Sequence, residues 1–275
     1  MAHRRIPTAD QIAFFRREGW LAMPEYWSGA EVEAMRGELD RLGDAGLLRN
    51  VATEGDGATP AATARNLQLC PMWPHSRVFQ AMPFADGVGD SVEALIGGPV
   101  RLHLDQVFVK PGGTGVGTNW HQDNAYFRIP DPLAGTALWT AVHDATEENG
   151  AMRVIPRRFH EAMPHARDPY SDHHIRCWPD ESEAVLVELP AGGALFFAYG
   201  TPHATGANRT SRARAGVALH FLRDDQTRDA AGGFAVEGRP LVSGVDADGG
   251  RSVHGKSLLG VWESEILAGR SRLGR

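Results

Sequence analysis

Two amphipathic helices are predicted near the start of the chain. A Thr/Gln capping box opens a helix over residues 11–18, and Gly19 ends it. A second capping box, Ser28 followed by Glu31, precedes apolar residues at helical spacing over residues 30–42. Two further segments have a regular pattern, a strand at 20–23 and a helix at 86–96. The first third of the chain is therefore predicted to be largely helical, with a loop rich in small residues over 53–63.

Beyond residue 99 the pattern changes to short strands. Runs of apolar and β-branched residues are separated by clusters of Gly, Pro, Asp and Asn. The predicted strands are 100–109, 138–142, 152–155, 184–189, 194–199 and 216–222. Helices first and strands later argue against a fold that alternates the two, and the glycine motifs of phosphate-binding loops are missing from the sequence. We expect a mainly β fold with flanking helices, a sandwich or jelly roll.

The domain prediction is one domain over residues 1–275. Its parts are an N-terminal helical region at about 8–98, a jelly-roll core at about 100–225 and a C-terminal extension at 226–275. The extension is rich in glycine and weakly patterned, so its sequence predicts no particular structure.

Composition and charge narrow the classes of function. The formal net charge is −6 and the pI is near 6.0, which disfavours a nucleic-acid-binding surface. No apolar run approaches the roughly 20 residues that span a bilayer, and the basic N-terminus lacks the apolar core of a signal peptide. The two cysteines, Cys70 and Cys177, lie far apart without metal-ligand spacing. We expect a cytoplasmic protein with reduced thiols and no membrane or nucleic-acid partner.

The candidate chemistry begins at His121 and Asp123. In an extended strand, side chains two residues apart point to the same face, so these two are predicted to aim at one point. A second histidine, His203, follows the predicted strand 194–199. Together the three would form the 2-His-1-carboxylate set that holds Fe(II) on one face. The pair His103 and Asp105 has the same spacing, but it does not follow a glycine-rich turn, and we expect an ordinary polar pair on a strand.

These residues belong to a longer pattern that resembles the phytanoyl-CoA dioxygenase family. The motifs are, in order, Phe15-x-x-x-Gly19-Trp20, His121-Gln122-Asp123, Trp139, the run from Asn149 to Pro156, and His203-x-Thr205-x-x-Asn208-Arg209-x-x-x-x-Arg214. The resemblance extends from about residue 11 to residue 224. It implies a double-stranded β-helix, the cupin-like form of the jelly roll. It also implies an Fe(II)- and 2-oxoglutarate-dependent dioxygenase that consumes O2.

The resemblance also implies roles for particular residues. Iron would be held by His121, Asp123 and His203. The distal carboxylate of 2-oxoglutarate would be bound by Arg214, because a guanidinium offers two parallel donors and a permanent charge. The other positions implied to line the co-substrate site are Thr205, Trp139 and Gln106. Two neighbouring arginines, Arg209 and Arg212, compete with Arg214 for its role, and the choice among them depends on spacing.

The expected reaction is hydroxylation of a C–H bond in a small molecule, with release of succinate and CO2. Related halogenating enzymes replace the carboxylate ligand with a small residue, and this chain keeps Asp123. Residues after the metal motif are candidates for substrate contact, namely Asn124, Phe127 and Arg128. The polar stretch 157–179 is the expected place for a lid. Its arginines and histidines could receive an anionic group, or the stretch could be a solvated loop.

Other functions remain open at this level. The same site could catalyse desaturation, cyclisation or epimerisation, or the fold could serve as a non-catalytic metal-binding module. The retained Arg214 argues against the module, which has no need of a co-substrate anchor. A zinc-dependent hydrolase with the same three ligands is a further alternative, and it would not depend on 2-oxoglutarate.

Overall fold

The helices lie mainly in the first hundred residues of the chain. The computed structural model describes residues 5–229 and 238–266. Its helices are α1 Ala9–Glu18, α2 Gly29–Asp44, α3 Arg77–Ala81, α4 Val88–Ile96, α5 Asn124–Phe127 and α6 Arg251–His254, and residues 261–266 are also helical. Short 3-10 turns occur at Met82–Phe84, Pro132–Ala134, Glu181–Glu183 and Asp224–Asp229. Within the described ranges, every helix is too short or too polar to cross a membrane.

The strands form two principal sheets, in which all neighbouring strands are antiparallel. The strands are β1 Trp20–Met23, β2 Arg49–Asn50, β3 Leu67–Leu69, β4 Val100–Lys110, β5 Thr118–His121, β6 Gly135–Ala141, β7 Met152–Val154, β8 Ala166–Arg167, β9 Ile175–Arg176, β10 Val185–Val187, β11 Ala194–Ala198, β12 His203–Thr205 and β13 Arg214–Arg223. The larger sheet has the order β1-β11-β6-β13-β4-β3-β2, the smaller one β10-β7-β12-β5, and β8 pairs with β9 alone. The predicted mainly β jelly-roll core with flanking helices is confirmed.

Local signals determine where the first two helices begin. The Thr8 hydroxyl accepts the backbone N–H of Gln11, whose side chain accepts the N–H of Thr8, and Gly19 ends α1 in the left-handed region. Ser28 and Glu31 cap α2 in the same way. The predicted capping boxes are both present, and each satisfies N–H groups that an uncapped helix would leave exposed.

The larger sheet separates two apolar clusters. Along β6 and β13, one set of alternate residues packs against the helices, as Leu138 and Val217 do. The other set faces the smaller sheet, as Trp139 and Ala218 do. This alternation is the two-residue period of a strand that is buried on both faces. The face of the larger sheet that carries Trp139 and Ala218 also lines a cavity.

The C-terminal extension returns to the N-terminal helices. The Trp262 indole is fully buried, donates to Glu31 Oε1 at 2.6 Å, and lies 5.3 Å from the ring of Trp27. Arg5 forms an ion pair with the same Glu31. Burial alone would raise the pKa of Glu31, but the hydrogen bonds from Trp262 and Arg5 outweigh it and the pKa is lowered. A buried carboxylate on α2 thus joins two segments that are distant in sequence.

Candidate metal and co-substrate site

The two candidate histidine ligands face each other across adjacent strands. His121 is the last residue of β5, His203 is the first of β12, and the two are register partners in the smaller sheet. One ligand atom each of His121, Asp123 and His203 lies within 4.8 Å of the others. Asp123 Oδ1 is 3.8 Å from Nε2 of either histidine. Across residues 5–229 and 238–266, this is the one group of three such side chains that could hold a metal ion.

The backbone around Asp123 differs from the prediction. The strand stops at His121, and Asp123 has helical angles, φ −58° and ψ −34°, at the entry to α5. The N–H of Asn124 donates to the carbonyl of Tyr199 at 2.8 Å, which draws the chain out of the sheet. The expectation that His121 and Asp123 share one extended strand is therefore wrong. Their side chains still converge, because a helical turn brings the carboxylate back toward His121.

Hydrogen bonds orient both imidazoles. His121 Nδ1 lies 2.8 Å from the carbonyl oxygen of Asn119, and His203 Nδ1 lies 3.0 Å from that of Thr201. A carbonyl can only accept, so each Nδ1 carries the proton and each Nε2 keeps its lone pair for the site. This tautomer is the one that a metal-binding histidine needs.

The protonation states also suit a metal ion. Burial would raise the pKa of Asp123, but the nearby His203 and His220 outweigh it and the pKa is strongly lowered. For His203, burial followed by the charge of His121 lowers the pKa to about 3. At neutral pH the site therefore holds a carboxylate and a neutral imidazole. These residues fit Fe(II), which takes imidazole and carboxylate ligands in this combination.

A second polar cluster lies at the closed end of the same cavity. The side-chain nitrogen of Lys110 donates to the Thr205 hydroxyl and to the carbonyl of Gly206, both at 2.6 Å. Arg214 donates to the carbonyl of Gly150, and its guanidinium lies 5.5 Å from the Trp139 ring. Both side chains are about 1% exposed, and burial together with the charge of Arg214 holds the pKa of Lys110 well below its usual range.

The closed end carries positive charge without a matching carboxylate. Within the described part of the chain, Arg214 and Lys110 form no ion pair, and the Arg214 Nε atom has no hydrogen-bond partner. Burial lowers the pKa of Arg214 to about 10, so the guanidinium stays charged at neutral pH. A buried, unpaired cation is costly unless an anion reaches it. The cluster therefore fits the carboxylate of a bound ligand.

Gly216 makes room for the tryptophan beside this cluster. A Cβ at Gly216 would lie 2.4 Å from the indole ring of Trp139 on the neighbouring strand. Because only hydrogen occupies that space, the Trp139 ring can pack directly against β13, with the Arg214 guanidinium 5.5 Å from the ring centre.

The cavity has a volume of about 460 Å³ and contains the predicted metal and co-substrate residues. Of the three predicted substrate contacts, Phe127 lines it, whereas Asn124 and Arg128 do not. The Asn124 amide is used in hydrogen bonds to the backbone of Ile129, at 2.9 and 3.1 Å. Arg128 is exposed and has left-handed backbone angles.

The expected lid contributes histidines rather than arginines. His173 and His174 line the cavity, and Arg49 lies near its mouth in an ion pair with Asp172. The arginines of 157–179 do not line it, and Arg158 is paired with acidic residues on the surface.

Sequence reasoning missed His220, which is buried beside Asp123. One signal was available. His220 lies six residues after Arg214 on the same strand, so the two share a face. The same parity along β4 puts Gln106 and Lys110 on one cavity-facing side.

Comparison with known proteins agrees with the site. The family model described as phytanoyl-CoA dioxygenase (PhyH) matches residues 15–216. The ectoine dioxygenase of Halomonas elongata is 25% identical over 238 residues, covering 79% of this chain and 70% of that protein. The L-proline trans-4-hydroxylase of Streptomyces griseoviridis is 26% identical over 244 residues, covering 80% and 88%.

A solved structure shares the fold. The non-haem α-ketoglutarate-dependent carbocyclase SnoK, from nogalamycin biosynthesis, superposes with a TM-score of 0.68 at 20% identity. The match covers 80% of this chain and 85% of that one. Because the family model spans well over half of the sequence, the comparison settles the family. The chain belongs to the phytanoyl-CoA dioxygenase family.

Proposed function

We propose that the protein is an Fe(II)- and 2-oxoglutarate-dependent dioxygenase that hydroxylates a C–H bond of a small molecule. One observation carries the proposal: the His121–Asp123–His203 group and the buried, unpaired Arg214 lie in one cavity. A metal site alone would also serve a hydrolase or a metal-binding module. The cation at the closed end adds a place for a dicarboxylate co-substrate, which neither alternative needs.

The assignment of the metal ligands rests on the geometry already described. His121 and His203 present Nε2 lone pairs, and Asp123 supplies a charged oxygen. When bound, the iron supplies the activation of O2 coupled to oxidative decarboxylation of 2-oxoglutarate to succinate and CO2.

The remaining residues bind and orient the co-substrate. Arg214 offers its free Nε and its charge to the distal carboxylate, and Lys110 lies on the same side with its nitrogen bonded to Thr205. This end of the cavity is walled by Thr205, which Lys110 orients, and by the Trp139 ring. Their shared effect is to hold a five-carbon dicarboxylate in one orientation and to exclude water from it.

The substrate occupies the outer part of the cavity in this proposal. The cavity is also lined by apolar side chains such as Leu104, Phe108 and Phe127, together with His173. The relatives act on small molecules, as the names ectoine dioxygenase and L-proline trans-4-hydroxylase state. SnoK is a carbocyclase, so cyclisation, desaturation or epimerisation is the second candidate outcome. The structure of the product distinguishes it from hydroxylation.

The proposal includes a cytoplasmic location, supported by the free thiols of Cys70 and Cys177.

The test is an anaerobic titration of the metal-free protein with Fe(II) and 2-oxoglutarate. Chelation of a 2-keto acid by iron gives a visible charge-transfer band, so the band reports co-substrate binding without turnover. We expect Arg214→Ala to weaken 2-oxoglutarate binding by about 100-fold, the usual scale for removing one partner of a buried charged contact.

Arg212→Ala is the matched control. Arg212 is exposed and lies two residues away, so its removal changes the local charge without touching the cavity. We expect the wild-type affinity for 2-oxoglutarate. A folded, iron-loaded wild-type protein that gives no band would contradict the proposal, and Zn(II)-dependent hydrolysis without 2-oxoglutarate would favour the hydrolase.

A further inference from the structure

Asp123 is contacted by a third histidine in addition to the two candidate ligands. His220 Nδ1 lies 3.4 Å from Asp123 Oδ2, whereas Oδ1 is the oxygen nearest to His121 and His203. The two carboxylate oxygens are thus divided between the metal site and His220. Within the described residues, neither Oδ2 nor His220 Nδ1 has a hydrogen-bond partner, so the two buried atoms are close to each other without meeting the geometry of a hydrogen bond.

The other nitrogen of His220 belongs to a chain of side-chain hydrogen bonds. Gln106 Nε2 is 3.1 Å from His220 Nε2, and Gln68 Nε2 donates to Gln106 Oε1 at 2.9 Å. All three side chains lie on β3, β4 and β13, which are neighbours in the larger sheet. We call Gln68, Gln106 and His220 the glutamine–histidine chain.

The direction of this chain determines the tautomer of His220. An amide nitrogen only donates, so His220 Nε2 must accept from Gln106 and its proton must sit on Nδ1. His220 then offers an N–H donor whose nitrogen lies 3.4 Å from Asp123 Oδ2, and both atoms are buried without a hydrogen-bond partner within the described residues. The rings of Phe127 and Tyr199 lie 5.4 and 6.1 Å from the imidazole and limit its rotation.

We propose that His220, held by Gln106 and Gln68, is a positioning residue that keeps Asp123 a one-oxygen ligand. A donor close to Oδ2 would favour Oδ1 as the metal ligand, and so would keep open the coordination positions that the proposed co-substrate and O2 need. Without the donor, the carboxylate can rotate or bind through both oxygens. The inference rests on the proposed metal site, and it assigns Gln106 to the support of Asp123 rather than to contact with 2-oxoglutarate.

The experiment measures Fe(II) affinity anaerobically, by competition with a chelator, in the full chain. His220→Leu removes the donor while keeping an apolar side chain of similar size. We expect Fe(II) binding to weaken by about 10- to 100-fold, the range for removing an outer-shell partner of a metal ligand. His220→Asn keeps an N–H near the position of Nδ1, and we expect it to recover most of the affinity.

A second variant tests the chain beyond His220. Gln106→Leu frees the imidazole to change tautomer, so we expect a smaller loss of Fe(II) affinity, about 3- to 10-fold. Its affinity for 2-oxoglutarate, measured at saturating Fe(II), should stay within about twofold of wild type if Gln106 supports Asp123. A large loss of 2-oxoglutarate affinity with unchanged Fe(II) affinity would overturn the assignment of Gln106.

The outcomes separate this inference from the proposed function. A folded His220→Leu protein with wild-type Fe(II) affinity overturns the positioning role while leaving the metal site in place. Equal losses in the Leu and Asn variants also overturn it, because a packing role would not distinguish the two. A wild-type chain that does not bind Fe(II) overturns both proposals.

Discussion

The chain contains two His-x-Asp segments, and their surroundings differ in almost every respect. His121 and Asp123 lie where a strand ends, beside His203 and an open cavity. His103 and Asp105 lie in the middle of β4 and face away from the cavity, because the even-numbered residues of that strand face it. The second segment lies on a strand as predicted, but both of its side chains are buried, so the pair does not lie on an ordinary polar face.

The two carboxylates have opposite pKa shifts. Asp105 Oδ2 accepts the N–H groups of Met72 and Trp73 at 2.9 and 2.7 Å, but burial dominates and raises its pKa to about 6. The pKa of Asp123 is lowered, because imidazoles surround it. Residue type and spacing are equal in the two segments, so their partners decide the difference.

The largest expected effect comes from exchanging each carboxylate for its amide. Asp123→Asn replaces a charged ligand with a neutral one, and we expect Fe(II) affinity to fall by more than about 100-fold, beyond the range of outer-shell changes. Asp105→Asn is the matched control and should retain Fe(II). Iron content after desalting and succinate formation measure both. If Asp105→Asn lost Fe(II) and Asp123→Asn retained it, the metal site would lie on β4 instead.

The histidines of the two segments should differ in the opposite sense, because the larger loss of unfolding free energy is expected at His103. His103 Nδ1 lies 3.2 Å from the buried Tyr199 hydroxyl, and its ring is 4.4 Å from that of Phe127. His103→Ala removes this packing and weakens the pairing of the hydroxyl, so we expect a loss of about 2–3 kcal/mol of unfolding free energy. His121→Ala should cost less in the metal-free protein, because the His121 ring borders the cavity. Denaturant unfolding of the two variants compares them, and equal losses would remove the contrast.

A smaller effect is expected from the titration of Asp105. Its folded pKa is raised to about 6, so the unfolded chain releases this proton at lower pH than the folded one. The contribution of the protonated carboxyl to stability is therefore lost as pH rises through the folded pKa. We expect the unfolding free energy of wild type, relative to Asp105→Asn, to fall by about 2 kcal/mol between about pH 4.5 and 7.5. A constant difference across that range would show that burial does not raise this pKa.

Elements fixed by nearby residues were predictable from the sequence. The capping boxes that start α1 and α2, and the end of α1 at Gly19, depend on residues a few positions apart. The predicted strands 100–109 and 194–199 match β4 and β11 closely. All five positions of β11 are buried, which makes it a continuous apolar run, whereas β4 alternates only in part.

Features that depend on distant partners were not predictable. Asp123 leaves the strand because its neighbour bonds to the carbonyl of Tyr199, far along the chain. The Lys110–Thr205 bond and the approach of His220 to Asp123 also join residues about a hundred positions apart. Spacing within one segment carries no information about such contacts, which depend on strand order in the folded sheets.

The bond between Trp262 and Glu31 has a consequence for synthesis of the protein. The two residues are 231 positions apart, yet the indole covers a buried carboxylate on α2. A ribosome makes the chain from its N-terminus, so α2 exists long before its covering residue has been translated. During that interval Glu31 can pair with Arg5 and with the cap residue Ser28, but it lacks the indole that covers it in the folded protein. Completion of the N-terminal helical layer is therefore a late event that follows translation of residue 262.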